Sequence, residues 1–169
     1  MNPITWTPLK IAAVVGIVLL AVFFIAQPTP DMDRHSCAAV RASLRTLATH
    51  GYRITDDKDR LYAQTDDVLV DFLCAPFAGN PVTVAPGKAS AGDLDAVLPN
   101  AAEIGDLVTG VGRSTAAYAA RNACTSAQQA AGGVGAAQIV DRFSFGCAYD
   151  KRRGKIARIT VAGQPLEKN

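Results

Sequence analysis

The sequence predicts an α+β fold: a single N-terminal transmembrane helix, then a small extracytoplasmic domain with helices packed on an antiparallel sheet, arranged as two similar helix–strand halves. Three observations carry that expectation. An apolar stretch occupies 8–26, the rest of the chain holds four cysteines, and segments of helical periodicity alternate with segments of strand alternation.

The apolar stretch comes first. Over 9–26 every residue except Lys10 is apolar or glycine. As a helix from Pro8 it would be about 28 Å long, close to the hydrocarbon thickness of a bilayer. Thr7 suits an N-cap, and Pro8 suits the first helical position, where its missing N–H costs nothing. Trp6 fits an interfacial anchor, and Lys10 can snorkel to the headgroups. Ala12 and Gly16 form a small-x-x-x-small step, a candidate contact with another membrane helix. A cleaved signal peptide fits less well, because a cut after Ala26 would leave Phe24 where a small residue is wanted. The expected organisation is therefore a cytoplasmic N-terminus (1–7), an anchor (8–26), a short linker (27–32), a disulfide-stapled domain (33–163) and a flexible tail (164–169). Basic residues after the helix outnumber those before it, which argues for the opposite orientation. A long folded domain translocates largely regardless of its charge, so a single-pass protein of the cytoplasmic membrane with its C-terminal domain in the periplasm or outside is expected.

Within the domain, Cys37, Val40, Leu44 and Leu47 share one face of a helix that starts near Asp33 or Ser36 and stops at Gly51. "GYRIT" and "RLYAQ" around "DDKD" read as a hairpin, and "DVLVDFLCA" as a third strand with Val68, Val70, Phe72 and Cys74 on one face. The Pro-, Gly- and Ala-rich stretch 76–92 reads as a loop. Two short helices are expected at 93–98 and 101–111, the second capped by Asn100 with Glu103 at the capping-box position. Ser114 is expected to cap an Ala-rich helix to about Ala131, buried along Ala117, Ala120, Cys124, Ala127 and Ala131. A strand over 138–149 follows, with Phe143, Phe145, Cys147 and Tyr149 on one face; its partner covers 156–161. "DFLCAP" and "SFGCAY" echo each other, each following a helix with an inward cysteine.

An even set of cysteines in an exported chain predicts disulfides, and the helix–strand logic favours Cys37–Cys74 and Cys124–Cys147. No C-x-x-C or C-x-x-C-H motif supports redox or haem chemistry. Met32, His35 and Cys37 make a thin soft-metal group, short of ligands, so no metal and no cofactor are expected. There is no G-x-S-x-G, H-E-x-x-H or phosphate-loop spacing, and the acidic runs Asp56–Asp57–Asp59 and Asp66–Asp67 read as solvated turns.

Residues 31–111 hold 12 acids and 7 bases and residues 112–169 hold 3 acids and 9 bases, so the two halves carry opposite charge. The split suits mutual attraction within the domain and does not suggest a nucleic-acid partner. Lys151, Arg152, Arg153 and Lys155 crowd a hairpin tip with Arg158 on the return strand, a candidate contact for an acidic partner or anionic headgroups. Together these features lead to the expectation of a non-catalytic accessory or assembly subunit of a larger membrane or envelope complex. A binding inhibitor or immunity-type protein is the alternative, and an envelope enzyme or metal carrier the third reading.

Overall fold

The computed structural model describes residues 36–74 and 79–163. The expected anchor with Ala12 and Gly16, the linker, His35 and the tail lie outside the described residues. Among the described residues no helix is long and apolar enough to cross a membrane.

Helix α1 (Cys37–Arg45) begins where Ser36 Oγ accepts the Ala39 N–H at 3.1 Å, a standard N-cap bond. It tightens into a 3₁₀ turn (Thr46–His50), and Gly51 ends it at φ 83°, a left-handed conformation glycine adopts without steric cost. Strands β1 (Arg53–Asp56), β2 (Arg60–Gln64), β3 (Val68–Leu73) and β4 (Val82–Pro86) follow as an antiparallel meander. Then come helices α2 (Leu94–Thr109) and α3 (Arg113–Gln129), and strands β5 (Gln138–Val140), β6 (Phe143–Asp150) and β7 (Lys155–Gly163). The described strands form one seven-stranded antiparallel sheet in the order β1-β2-β3-β4-β7-β6-β5. The fold is thus α+β, with three α-helices among the described residues.

Cross-strand register builds the core in rows. Leu61, Phe72, Val82, Val161 and Phe145 lie side by side across five strands, and Ala63, Val70, Val84, Ile159 and Cys147 form the next row. All are buried, and α2 and α3 add Val97, Ile104, Ala116, Ala120 and Cys124 to the same cluster. Burying each larger side chain here contributes about 1.5–3 kcal/mol, so the helix-facing side of the sheet dominates the energetics. Gly105 lets α2 pack closely on β6 and α3: a Cβ there would sit 3.0 Å from Phe145 Cε1 and 3.1 Å from Ala116 Cβ. The other side of the sheet carries the row Tyr62, Asp71, Thr83 and Thr160, together with Leu69, Leu73 and Ile139, which are 37%, 46% and 61% exposed.

Both expected disulfides are present. Cys37–Cys74 ties the first residue of α1 to the residue after β3, and Cys124–Cys147 ties α3 to β6. The strands carrying the two Phe-x-Cys motifs, β3 and β6, each lie directly beside the central β4–β7 pair.

Four expectations need correction. The 76–92 loop contains β4, whose Val82 and Val84 alternate into the core between a proline-rich entry and a glycine exit. The two short helices are one. Pro99 lacks the N–H that would reach Asp95, but it sits exposed on α2 while Val97, Leu98, Ala101 and Ala102 bury the opposite side. Asn100 consequently caps nothing and instead accepts a hydrogen bond from the Tyr52 hydroxyl. The 138–149 strand breaks at Asp141 (φ 53°) and Arg142, a two-residue turn that folds β5 back on β6. Finally, α3 starts one residue before Ser114, with Gly112 at the cap. Its buried face is Ala116, Ala119, Ala120, Ala123, Cys124 and Ala127, leaving Ala131 exposed.

Candidate functional site

One end of the sheet is shaped by a short strand pairing. β4 and β7 pair only from Val82↔Val161 to Val84↔Ile159, and beyond Val84 the two strands part. The segment after β4 fills the split and is stitched on both sides. The Gly87 N–H donates to Asp67 O at 2.6 Å, the Ala89 N–H to Asp66 O at 2.9 Å and the Ser90 hydroxyl to Asp67 O at 2.6 Å. From the other side the Ile156 N–H donates to Gly92 O at 2.9 Å. Gly87 is required by this closeness, since a Cβ would lie 2.3 Å from Asp66 O.

Two open grooves result, with Pro86, Gly87 and Lys88 as their shared wall. One, of about 450 Å³, is lined by Arg53, Gln64, Thr65, Asp66 and Leu69 on the β1–β3 side. The other, of about 500 Å³, is lined on the β7 side by Asp150, Arg153, Lys155, Ile156 and Ala157. Arg53, Gln64, Leu69 and Ala85 are neighbours in one cross-strand row on the exposed side of the sheet, so the grooves run crosswise to the strands as a trough.

Charge pairing separates this end from the rest of the molecule. Arg41 and Arg45 hold Asp56, at 2.8 Å and 2.6 Å. Arg60 makes a two-pronged bond to Asp71 and lies 4.8 Å over the Tyr62 ring. Arg113 pairs with Glu103 and Arg121 with Asp95, so α3 and α2 are joined across the opposite charges of the two halves. By contrast Arg53, Lys88, Lys155 and Arg158 have no ion-pair partner among the described residues. Arg153 faces Asp150 at 3.6 Å, while the same carboxylate accepts the backbone N–H groups of Arg152 and Arg153 and so shapes the hairpin tip.

Of the basic residues singled out in the sequence, Arg153 and Lys155 line the trough. Lys151 and Arg152 are exposed on the tip and line neither groove. Arg158 is exposed on β7 opposite Ala148, next to an irregularity in the β6–β7 register. Arg53 and Lys88 escaped sequence reasoning, because only the meander and the stitched loop bring such distant positions to one end.

The acidic turns are used in two ways, through the Asp56 carboxylate and through backbone carbonyls. Asp56 is clamped by α1, and Arg41 also donates to the carbonyls of Asp57 and Lys58. Backbone carbonyls of Asp66 and Asp67 hold the β4–α2 loop. Among the described residues no group of three or more His, Cys, Asp or Glu converges, and the Cys37 sulfur of the thin soft-metal group is bonded to Cys74.

A second polar cluster lies where α1 ends against α2. Glu103 is held by both His50 Nδ1 and Arg113, and the Tyr52 hydroxyl donates to Asn100 Oδ1 at 2.9 Å. Burial, and then the Glu103 charge, push the Tyr52 hydroxyl up to about 12, with Arg113 opposing. His50 lines neither groove.

The two disulfides suggest an oxidising, extracytoplasmic location. The chain matches no protein-family model, no curated protein and no solved structure.

Proposed function

We propose that this chain is a non-catalytic, membrane-anchored accessory or assembly subunit of a larger membrane or envelope complex. In this reading a single span in the cytoplasmic membrane holds the domain on the periplasmic or outer side. The observation that carries it is the trough: two joined grooves on an exposed sheet end, where Arg53, Lys88 and Lys155 form no ion pair with a described residue and cations outnumber the acids Asp66 and Asp150, while most other arginines of the domain are tied down internally. Unpaired charge around a concave surface is what a partner-binding site needs, because it steers association and fixes register. The short linker read from the sequence would keep such a site near other membrane components.

The test is detergent extraction of the tagged full chain and identification of what co-purifies. An integral membrane or envelope protein should come with it and should be lost on Lys88→Glu with Lys155→Glu. Recovery of one soluble partner, bound equally well without the anchor, would favour the inhibitor reading instead. Recovery of nothing specific would remove both.

A further inference from the structure

We infer that the trough receives an extended acidic segment of the partner, with apolar side chains interspersed among the acids; this rests on the partner-binding reading above. Three features point to that chemistry. Cations outnumber acids along the rim: Arg53 on β1, Lys88 on the shared wall, and Arg153 and Lys155 at the β6–β7 hairpin stand against the carboxylates of Asp66 and Asp150, and Arg53, Lys88 and Lys155 form no ion pair with a described residue. The surface within is in part apolar, with Leu69 in one groove, Ala157 in the other and Pro86 on the wall between them. The form is linear. Adjacent strands lie about 4.8 Å apart, so the path from β1 across to β7 is about 19 Å, the reach of roughly six extended residues. A ligand that alternates acidic and apolar side chains satisfies rim and apolar surface together, since successive side chains of an extended chain point to opposite sides.

A flat anionic bilayer fits less well. It can touch the convex tip at Lys151 and Arg152, but it cannot reach the floor of a groove. A small anion would occupy one groove and leave the other unused.

The experiment uses the full chain in neutral mild-detergent micelles and a fluorescein-labelled peptide of alternating Glu and Leu, with its Lys-for-Glu counterpart. The acidic peptide should bind and the basic one should not. Lys88→Glu with Lys155→Glu should weaken binding by about tenfold or more at low salt, and the difference should shrink as salt is raised. Lys58→Glu reverses an exposed charge in the β1–β2 turn, away from both grooves, and should leave binding unchanged. Should the double reversal fail to form both disulfides, Lys88→Gln with Lys155→Gln takes its place and should show a smaller loss in the same direction. Equal binding of both peptides, no binding of either, equal weakening by Lys58→Glu, or displacement by phosphatidylglycerol added to the micelles would overturn the inference. Loss of the acidic-peptide result while a membrane partner still co-purifies would overturn this chemistry alone and leave the subunit reading standing.

Discussion

Removing the disulfides one at a time separates two ways in which they stabilise the domain. The Cys124–Cys147 pair closes a separation of 23 residues and the Cys37–Cys74 pair one of 37. Loop-closure entropy alone gives about 3.4 kcal/mol for the shorter and about 3.8 kcal/mol for the longer. On that term the first pair should matter slightly more. Burial reverses the order. Cys124 and Cys147 are 0% and 5% exposed in the α3–β6 core, whereas Cys37 and Cys74 are only partly buried against it. Replacing the inner pair by alanine leaves unfilled space that cannot collapse, adding about 1–2 kcal/mol. The expected losses are thus about 5 kcal/mol for Cys124→Ala with Cys147→Ala and about 4 kcal/mol for Cys37→Ala with Cys74→Ala. For a domain of about 130 residues, 1 kcal/mol moves Tm by about 4 °C, so drops of about 20 °C and about 15 °C follow. Thermal unfolding of each variant followed by far-UV circular dichroism measures this. A larger drop for the outer pair, or a drop under about 4 °C for either, would refute the reasoning.

Two further perturbations test other parts of the structure. Tyr52 is held protonated in the fold up to about 12, above its unfolded value of about 10, so it contributes stability that is fully present below pH 10 and is lost as pH rises through that window, by about 2–3 kcal/mol. Tyr52→Phe should flatten this part of the stability profile while costing about 1 kcal/mol at neutral pH through the lost bond to Asn100, and an unchanged alkaline limb would contradict the assignment. Gly87→Ala places a Cβ against backbone on the Asp66–Asp67 side, so the loop must move; a loss of about 1–3 kcal/mol and faster amide exchange at Ala89 are expected, and wild-type exchange there would show that the stitching is not needed.

Much of the fold was legible wherever one signal dominated. Cap, periodic face and stop agreed for α1, and the same apolar alternation that placed Cys74 and Cys147 inward made the disulfide pairing readable. Reading failed where local punctuation conflicted with tertiary burial. Pro99 looks like a helix end, yet the flanking Val97, Leu98 and Ala101 gain more from one continuous buried face than the missing bond removes. Val82 and Val84 are too few to register as a strand among prolines and glycines, although their neighbours Val70 and Ile159 make them central. The site was half legible. Charge density exposed the β6–β7 tip, but Arg53 and Lys88 join it only through strand order, which a local pattern does not encode.

The linkage of the sulfurs is consecutive, first with second and third with fourth, neither nested nor crossed. A domain crossing the membrane in sequence order can therefore oxidise each pair as it appears, without isomerisation of a wrong intermediate. Cys37 and Cys74 both precede Cys124, so the first pair can close before the third sulfur is exposed. The long-range step left for the end is the docking of β7 on β4, which joins two segments whose crosslinks are already made.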